Sequence, residues 1–208
     1  MRILYLDTSS SFLYAAIVND EKVIIEVKEG LGKDLSSFAL VKIEEMFGNS
    51  NLSPSDVDKI IVVNGPGSFT GIRIGLTIAK VYAWSLGKKI SVISSLEAMA
   101  VSIGKFDYVV PLIDARREYV YSAIYDKDFN LTLKEQYINL EALKIATAIL
   151  PGDVCYVSND KFHSIDTVNY NPDILKIVTK FKDRENLNPH EVDAYYLKLT
   201  EAEENIKW

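Results

Sequence analysis

The sequence predicts the same order of secondary structure twice, and this repetition restricts the fold more than any other feature. Each half predicts a strand, a polar corner, two further strands, a helix and a strand. In the first half these elements are at 2–7, 12–19, 23–27, 36–47 and 59–63; in the second half they are at 108–113, 119–125, 131–138, 140–150 and 154–157. The halves share no sequence identity, so only the pattern is repeated. Such a pattern predicts two similar units in one chain.

A duplicated meander followed by a helix and a strand is the architecture of the superfamily of actin, sugar kinases and heat-shock ATPases. The predicted fold is therefore α/β, ribonuclease H-like, with two lobes of sheet plus helices. We place the amino-terminal lobe at 1–104 and the carboxyl-terminal lobe at 105–208. Helical periodicity from Glu191 onward predicts a last helix able to pack back on the first lobe, although 192–199 alone is ambiguous.

The charge of the chain argues against nucleic-acid binding by this chain alone. The 208 residues carry a net charge of −6, with an isoelectric point near 5.0, and we find no dense cluster of Lys and Arg. Proteins that bind nucleic acids by themselves normally present a basic face, because neutralising phosphates supplies most of their affinity. Autonomous tRNA binding is therefore not expected.

Cysteine and histidine usage offers no metal site. Cys155 is the single cysteine, in a predicted strand where a buried, inert thiol is expected, and His163 and His190 are far apart. A single cysteine and two widely separated histidines do not match the spacing of zinc ligands. We expect no metal and no cofactor. The absence of a cationic leader and of a long apolar run predicts a cytoplasmic protein without a membrane span.

A glycine-rich loop precedes the second predicted helix, with the sequence Gly65-Pro66-Gly67-Ser68-Phe69-Thr70-Gly71. Backbone amides at such a helix start favour anions, so Gly65, Gly67, Ser68 and Thr70 are candidate phosphate-loop-like residues. The loop lacks the Lys-Ser/Thr end of a P-loop. The alternative, which we favour, is structural: the glycines permit a tight turn, and Ser68 or Thr70 caps the helix.

Asp7-Thr8-Ser9 follows the first strand, at the corner where phosphate-binding members of the superfamily keep a carboxylate for metal-bound water. Ser9 stands where those enzymes often have glycine. Asp7 is therefore either a phosphate-site residue or, as we favour, a relic that hydrogen-bonds the turn. Later in the chain, Asp114-Ala115-Arg116-Arg117-Glu118 mixes cations and carboxylates, and predicts an Arg–carboxylate pair at the junction of the lobes rather than catalysis.

The helix predicted at 72–86 is apolar around nearly its whole circumference, which is typical of a helix buried on more than one side. One side would face the sheet. Gly75, Ala79 and Ala83, spaced four apart, predict a second face that another helix approaches closely. That helix would be the one at 36–47 or one from another chain; these alternatives stay open.

Several motifs together resemble the TsaB (YeaZ) family. The long motif from Gly65 to Gly75 is the most specific, and three shorter ones fall in the same order: Leu6-Asp7-Thr8-Ser9, Ser94-Ser95-Leu96-Glu97-Ala98, and Asp114-Ala115-Arg116 followed by Glu118. The resemblance is strong to about Tyr125 and weak beyond it. Two departures stand out: Leu35-Ser36 replaces a His-Ser pair, and Ala194-Tyr195-Tyr196-Leu197-Lys198 replaces a Pro-x-Tyr-Leu-Arg end.

The resemblance implies a subunit of the machinery that makes threonylcarbamoyladenosine on tRNA, without an active site of its own. It implies a heterodimer with the paralogue TsaD, which holds the metal and the transfer site, a homodimer when alone, and the ATPase TsaE in the larger assembly. Pairing through the first two helices would involve ten residues: Phe38, Val41, Lys42, Glu45, Ile72, Arg73, Leu76, Ala79, Lys80 and Ala83.

An enzyme of the same fold is the alternative function. A sugar-kinase-type phosphotransferase would use Asp7 and would need a second phosphate-binding glycine turn in the carboxyl-terminal lobe, but 116–150 contains no glycine. A peptidase is the other form of this alternative, and no catalytic triad stands out from the sequence.

Overall fold

The computed structural model describes residues 1–20 and 22–198 and contains two five-stranded sheets with helices between and around them. The strands are β1 (Arg2–Asp7), β2 (Phe12–Asn19), β3 (Lys22–Gly30), β4 (Lys59–Val63), β5 (Lys89–Ile93), β6 (Tyr108–Asp114), β7 (Tyr119–Asp126), β8 (Leu131–Asn139), β9 (Val154–Ser158) and β10 (Val168–Asn169). The α-helices are α1 (Leu35–Ser50), α2 (Phe69–Leu86), α3 (Ser95–Ser102), α4 (Leu140–Ala148) and α5 (Ile174–Phe181). Short 3₁₀ turns lie at Gly32–Asp34, Pro54–Asp56 and Pro189–Glu191.

Both sheets have the same strand order and the same mixture of pairings. The first is ordered β3-β2-β1-β4-β5 and the second is ordered β8-β7-β6-β9-β10. In each, the first three strands of the lobe form an antiparallel meander, and the later strands add in parallel beside its first strand. This topology confirms the predicted α/β two-lobe fold of the actin and sugar-kinase type.

Three apolar clusters hold the layers together. The first sheet is covered on one face by α1 and α2. On its other face it packs against α3 and α5, which also contact the second sheet. The remaining face of the second sheet is covered by α4. Since β1 and β4 are covered on both faces, their near-continuous apolar sequences are what burial requires.

The local signals at helix ends behave as the sequence predicts. Ser68 caps α2, with its hydroxyl accepting a hydrogen bond from the Gly71 amide at 3.2 Å. Gly87, with φ of 61°, ends the same helix in the left-handed region that glycine tolerates. Ser94 and Glu97 form a capping box at the start of α3. These caps fix where both helices point into the junction of the lobes.

Three parts of the structure differ from the sequence prediction. The helices α1 and α2 begin one and three residues earlier than predicted, and α5 and β10 were not predicted. Residues 192–198 form no regular helix; they run as an extended segment against the first lobe, where the Tyr195 amide donates to the Asn64 carbonyl at 2.8 Å. This segment packs against the side of α2 and against the loop at Asn64, and this packing takes the place of the predicted helix. The rest of the predicted last helix, 199–208, lies outside the described residues. The division at residue 104 stays a prediction.

Among the described residues, no helix is both long and apolar enough to span a membrane.

Candidate functional site

The two lobes enclose a cleft of about 890 Å³ that contains most of the polar residues singled out in the sequence. One wall is the corner after β1 together with the glycine-rich loop, and the other is the end of β6 with the turn that follows it. Asp7, Gly67, Ser68, Thr70 and Asp114 all contribute to the lining. The structure therefore brings the phosphate-loop-like candidates together, apart from Gly65, which lies deeper.

Asp7 stabilises the corner that follows β1. Its Oδ1 atom accepts hydrogen bonds from the Ser9 amide at 2.8 Å and from the Ser9 hydroxyl at 2.7 Å. The side chain is only 2% exposed, and burial raises the pKa of this carboxyl although the bonds from Ser9 lower it. This geometry supports the interpretation of Asp7 as a residue that hydrogen-bonds the turn.

The glycine-rich loop is packed directly onto that corner. A Cβ atom on Gly67 would lie 2.2 Å from the Ser9 carbonyl oxygen, and one on Gly71 would lie 2.1 Å from the Thr8 carbonyl oxygen. The Ser68 amide donates to the Ser9 carbonyl at 2.7 Å, so this amide is turned into the protein. The glycines thus serve close backbone packing, as the structural alternative predicts.

Three tyrosines lie close to the buried Asp7 side chain. Tyr5 is fully buried and Tyr170 is 9% exposed. Burial, with the nearby Asp7 carboxylate as the second cause, raises the pKa of Tyr14 to about 12. The Tyr14 hydroxyl accepts a hydrogen bond of 3.3 Å from Asn159 of the other lobe. The floor of the cleft is therefore a packed contact between the lobes.

The turn between β6 and β7 adopts an unusual backbone at the cleft entrance. Arg116, Arg117 and Glu118 have φ angles of 67°, 54° and 65°, all in the left-handed region. The Asp114 carboxylate accepts a hydrogen bond from the Arg116 amide at 2.9 Å. Neither arginine forms an ion pair with a carboxylate anywhere in 1–20 or 22–198, so the predicted Arg–carboxylate pair at this junction is wrong.

The charged contact between the lobes lies in a second pocket instead. Arg184 donates to both carboxylate oxygens of Glu97, at 3.0 and 2.6 Å. Nearby, the Tyr125 hydroxyl donates to Glu135 Oε1 at 2.7 Å, and burial raises the pKa of Glu135. Glu97 belongs to the amino-terminal lobe and Glu135 to the carboxyl-terminal lobe, so this cluster ties the two together. Glu135 and Arg184 belong to no sequence motif, so this contact was not predicted.

Four of the ten predicted partner-binding residues lie in the core. Ile72, Leu76, Ala79 and Ala83 are between 0 and 6% exposed. Gly75 is also buried, and a Cβ atom there would lie 2.4 Å from Thr8 Oγ1. The stripe is therefore buried within this chain, where Ala79 and Ala83 share an apolar cluster with Ala39 and Ile43 of α1; of the two alternatives, this favours the helix predicted at 36–47. At Gly75, the missing side chain lets α2 approach the corner that follows β1.

Arg73 and Lys80 of the predicted set contact the carboxyl-terminal segment. Lys80 Nζ donates to the Val192 carbonyl at 2.8 Å, and Arg73 Nε donates to the Tyr196 hydroxyl at 3.2 Å. One side of α2 is thus covered by the chain itself. The carboxyl-terminal segment therefore accounts for part of the apolar circumference of α2.

On α1, the predicted residues lie on the side directed away from α2. Lys42 forms ion pairs with Glu29 of β3 at 3.2 Å and with Glu45 at 3.5 Å. Phe38 and Val41 are 46 and 43% exposed and stay candidates for contact with a partner. The ten residues therefore do not form one continuous face.

A different exposed surface lies where α1 and α2 meet. The rings of Phe47 and Tyr82 pack edge to face with their centroids 6.3 Å apart, and they mark the line between the helices. Leu40 lies on the Phe47 stripe of α1, and Ile74 and Ile78 lie on the Tyr82 stripe of α2, because residues seven or four apart share a helix face. Leu40 and Val81 are 53 and 55% exposed. We call Leu40, Ile74, Ile78 and Val81 the helix seam.

The described part of the chain contains no group of three or more His, Cys, Asp or Glu side chains arranged to hold a metal ion. His163 and His190 are both exposed, as expected. Cys155 is buried, and burial raises the pKa of its thiol.

Comparison with known proteins gives consistent matches. A family model described as TsaD, tRNA N6-adenosine threonylcarbamoyltransferase, matches residues 31–155. The tRNA threonylcarbamoyladenosine biosynthesis protein TsaB of Bacillus subtilis is 33% identical over 226 aligned residues, covering 100% of this chain and 98% of that protein. The Haemophilus influenzae protein of the same description is 34% identical over 125 residues, covering 58% of this chain and 52% of its own length.

Two solved structures from Pseudomonas aeruginosa show the same fold. An uncharacterized protein with similarity to peptidase YEAZ superposes with a TM-score of 0.78 at 19% identity, covering 95% of this chain and 99% of the other. YeaZ superposes with a TM-score of 0.76 at 20% identity, covering 94 and 99%.

Proposed function

This chain belongs to the TsaB (YeaZ) family of tRNA threonylcarbamoyladenosine biosynthesis proteins, and we propose that it serves that biosynthesis as a non-catalytic subunit that binds and supports a TsaD-type threonylcarbamoyltransferase. The observation that carries the proposal is the full-length match to the Bacillus subtilis TsaB, which leaves no part of this chain outside the alignment. The match of 31–155 to the TsaD family model supports the expectation that this chain and its partner are paralogues.

The cleft supports a non-catalytic role. Asp7, the residue that a phosphotransferase of this fold would use, is 2% exposed and is bonded to Ser9 of its own turn. The loop that would cradle a phosphate is packed against Thr8 and Ser9, with at least one amide directed inward. A catalytic carboxylate and an anion-binding loop both need access to the substrate.

The helix seam is the surface we propose for TsaD. Exposed apolar side chains gathered along two neighbouring helices are typical of contact surfaces between proteins. Phe38 and Val41 are exposed on another side of α1 and are not part of this surface. The pair of helices is the one that the family resemblance implies, although the faces differ from the predicted residues. We expect the chain to self-associate through the same surface when TsaD is absent, and TsaE to join the larger assembly.

Val81→Asp tests the seam. Val81 is 55% exposed, so a carboxylate there disturbs the fold little, but within an interface it would be desolvated without a partner. We expect binding to TsaD to weaken by about 2 kcal/mol, roughly thirtyfold in Kd, by calorimetric titration. Ile145→Asp is the matched control, because Ile145 is 70% exposed on α4 of the other lobe. Equal Kd values for both variants would show that the seam is not the interface.

Asp7→Asn distinguishes the scaffold from the enzyme alternative. Asparagine keeps an oxygen that can accept both hydrogen bonds from Ser9 but cannot serve as a general base or a metal ligand of equal strength. We expect the reconstituted complex to make threonylcarbamoyladenosine at the wild-type rate. A large loss of rate in a variant that still binds TsaD, or micromolar binding of ATP with magnesium to the free chain, would support a phosphotransferase.

A further inference from the structure

We propose that aromatic and cationic side chains at the mouth of the interlobe cleft form a contact surface for the unpaired nucleotides of an RNA loop, used when the chain is part of its complex. The surface, which we call the cleft-mouth platform, consists of Phe69, Arg73, Arg116, Arg117, Tyr119, Tyr121, Tyr137, Tyr196 and Lys198. The proposal rests on the proposed function, since threonylcarbamoyladenosine is made on tRNA. It names the part of this chain that meets the tRNA.

The first observation is the strained turn that presents the two arginines. Three successive non-glycine residues, Arg116 to Glu118, are held in the left-handed region. Non-glycine residues seldom adopt this conformation, because it brings the Cβ atom too close to the following carbonyl oxygen. Strain of this kind is concentrated at functional sites. Here it holds Arg116 and Arg117 out at the cleft entrance, exposed and without an ion pair among the described residues.

The second observation is a group of stacked rings beside that turn. Tyr119 stacks on Tyr137 with centroids 4.6 Å apart, and Tyr121 lies 5.8 Å from the same ring. Lys198 Nζ lies 5.0 Å from the centre of the Tyr137 ring. Tyr119 is 36% exposed, so part of its ring is open to a further stacked group.

A second aromatic group continues the surface across the cleft. Phe69 and Tyr196 stack at 5.2 Å, and the Arg73 guanidinium lies 3.8 Å from the centre of the Phe69 ring. Tyr196 and Lys198 are two residues apart, hence within about 7 Å along the chain. This short segment joins the two groups. Phe69, Arg116 and Tyr121 also line the same cleft, which places both groups around one opening.

This combination favours unpaired nucleotides over other ligands. Every base has a face that stacks on an aromatic ring, and nearby cations neutralise the adjoining phosphates. The platform carries four cations, and the carboxylates beside it are Asp114, Glu118 and Asp160. The first and last of these accept hydrogen bonds from backbone amides. The net charge of −6 for the whole chain opposes RNA binding by the free chain, so this contact is expected inside the complex.

The test uses the complex of this chain with TsaD and a fluorescent tRNA stem–loop with an unpaired loop, and RNA binding is followed by anisotropy at several salt concentrations. Arg116→Ala/Arg117→Ala should weaken RNA binding and lower the slope of log Kd against log salt by about 1.4, as expected for two phosphate contacts on a single strand. The control is Lys105→Ala/Lys127→Ala, which removes the same charge at the opposite end of β6 and β7. It should lower the salt slope by less than half of that amount.

Tyr119 separates stacking from charge. Tyr119→Ala should weaken RNA binding roughly tenfold without changing the salt slope. Tyr119→Phe should bind RNA with the wild-type affinity, since the ring alone stacks on a base. Equal RNA affinity for wild type, the double arginine variant and Tyr119→Ala, in complexes that still assemble, would refute the platform and leave the proposed function intact. Loss of TsaD binding in these variants would identify the platform as a protein contact and also refute it.

If the chain does not bind TsaD, the proposed function fails independently. In that case, photocrosslinking of the same RNA to the free chain at low salt, where even a weak electrostatic contact is populated, decides the inference. Crosslinks within residues 116–121, 137 or 196–198 would support the platform, and crosslinks confined to other residues, or none, would overturn it.

Discussion

Gly75→Ala should destabilise the protein even though alanine is the better helix former. A Cβ atom at Gly75 would lie 2.4 Å from Thr8 Oγ1, whereas ordinary contact begins at 3.4 Å, so Thr8 must retreat by about 1 Å. Thr8 is 1% exposed, and its hydroxyl donates to the Gly71 carbonyl at 2.7 Å. Losing that bond costs about 1–3 kcal/mol and overpacking costs a further 1–3 kcal/mol. After about 1 kcal/mol of gained helix propensity, the net loss is about 3 kcal/mol.

Gly48→Ala provides the matched control. Gly48 lies in α1, and a Cβ atom there would meet nothing within 4 Å, so the variant should gain up to about 1 kcal/mol. Urea unfolding followed by far-ultraviolet circular dichroism should therefore separate the two variants by about 4 kcal/mol at equal m values. If Gly75→Ala were as stable as Gly48→Ala, the claim that α2 is pressed against the Thr8 corner would be refuted.

Three further predictions concern the core and the cleft. Ala79→Arg should reduce the free energy of unfolding by more than about 4 kcal/mol, because Ala79 is 0% exposed in the apolar core, and near-normal thermal unfolding would contradict that placement. Since the pKa of Asp7 is raised on folding, the native protein holds this proton more tightly, and stability should fall as pH rises from about 4 through the raised pKa. Asp7→Asn should remove this decline in urea titrations, and an unchanged pH profile would exclude Asp7 as its cause. Cys155 should react with a thiol reagent only upon unfolding, because it is 3% exposed and burial raises its pKa; rapid labelling in native buffer would show otherwise.

The strands and most helices were predictable because their sequences carry strong local signals. β4 is a run of apolar residues that strands need when both faces are covered, and α2 is bounded by Ser68 and Gly87. The helix α5 carried an equally clear signal that was overlooked: Ile174, Ile177, Val178 and Phe181 are buried at helical spacing after the capping residue Asp173. The rule that buried residues recur every three or four positions in a helix therefore does predict α5.

The contacts of the site were harder to predict because they join distant parts of the chain. Gly75, Ala79 and Ala83 permit close approach of any neighbour, and nothing in their spacing says whether that neighbour is a helix or a sheet. Likewise, Lys80 and Arg73 contact Val192 and Tyr196, more than a hundred residues away. The corner at Asp7 was predicted more closely, because an Asp followed by Ser two residues later forms its hydrogen bonds locally.

The attachment of the carboxyl-terminal segment sets an order of events during synthesis. The edge strand β5 is paired with β4 on one side, and its other side gains a hydrogen bond only when Leu187 donates to the Ile90 carbonyl at 2.8 Å. Likewise, the Lys59 ammonium gains acceptors only when the Lys182 and Arg184 carbonyls arrive. On the ribosome, the lobe that emerges first therefore keeps an open strand edge and an unsatisfied lysine until residues 182–187 have been synthesised. Nascent chains truncated before residue 182 should consequently be the species that most needs a chaperone.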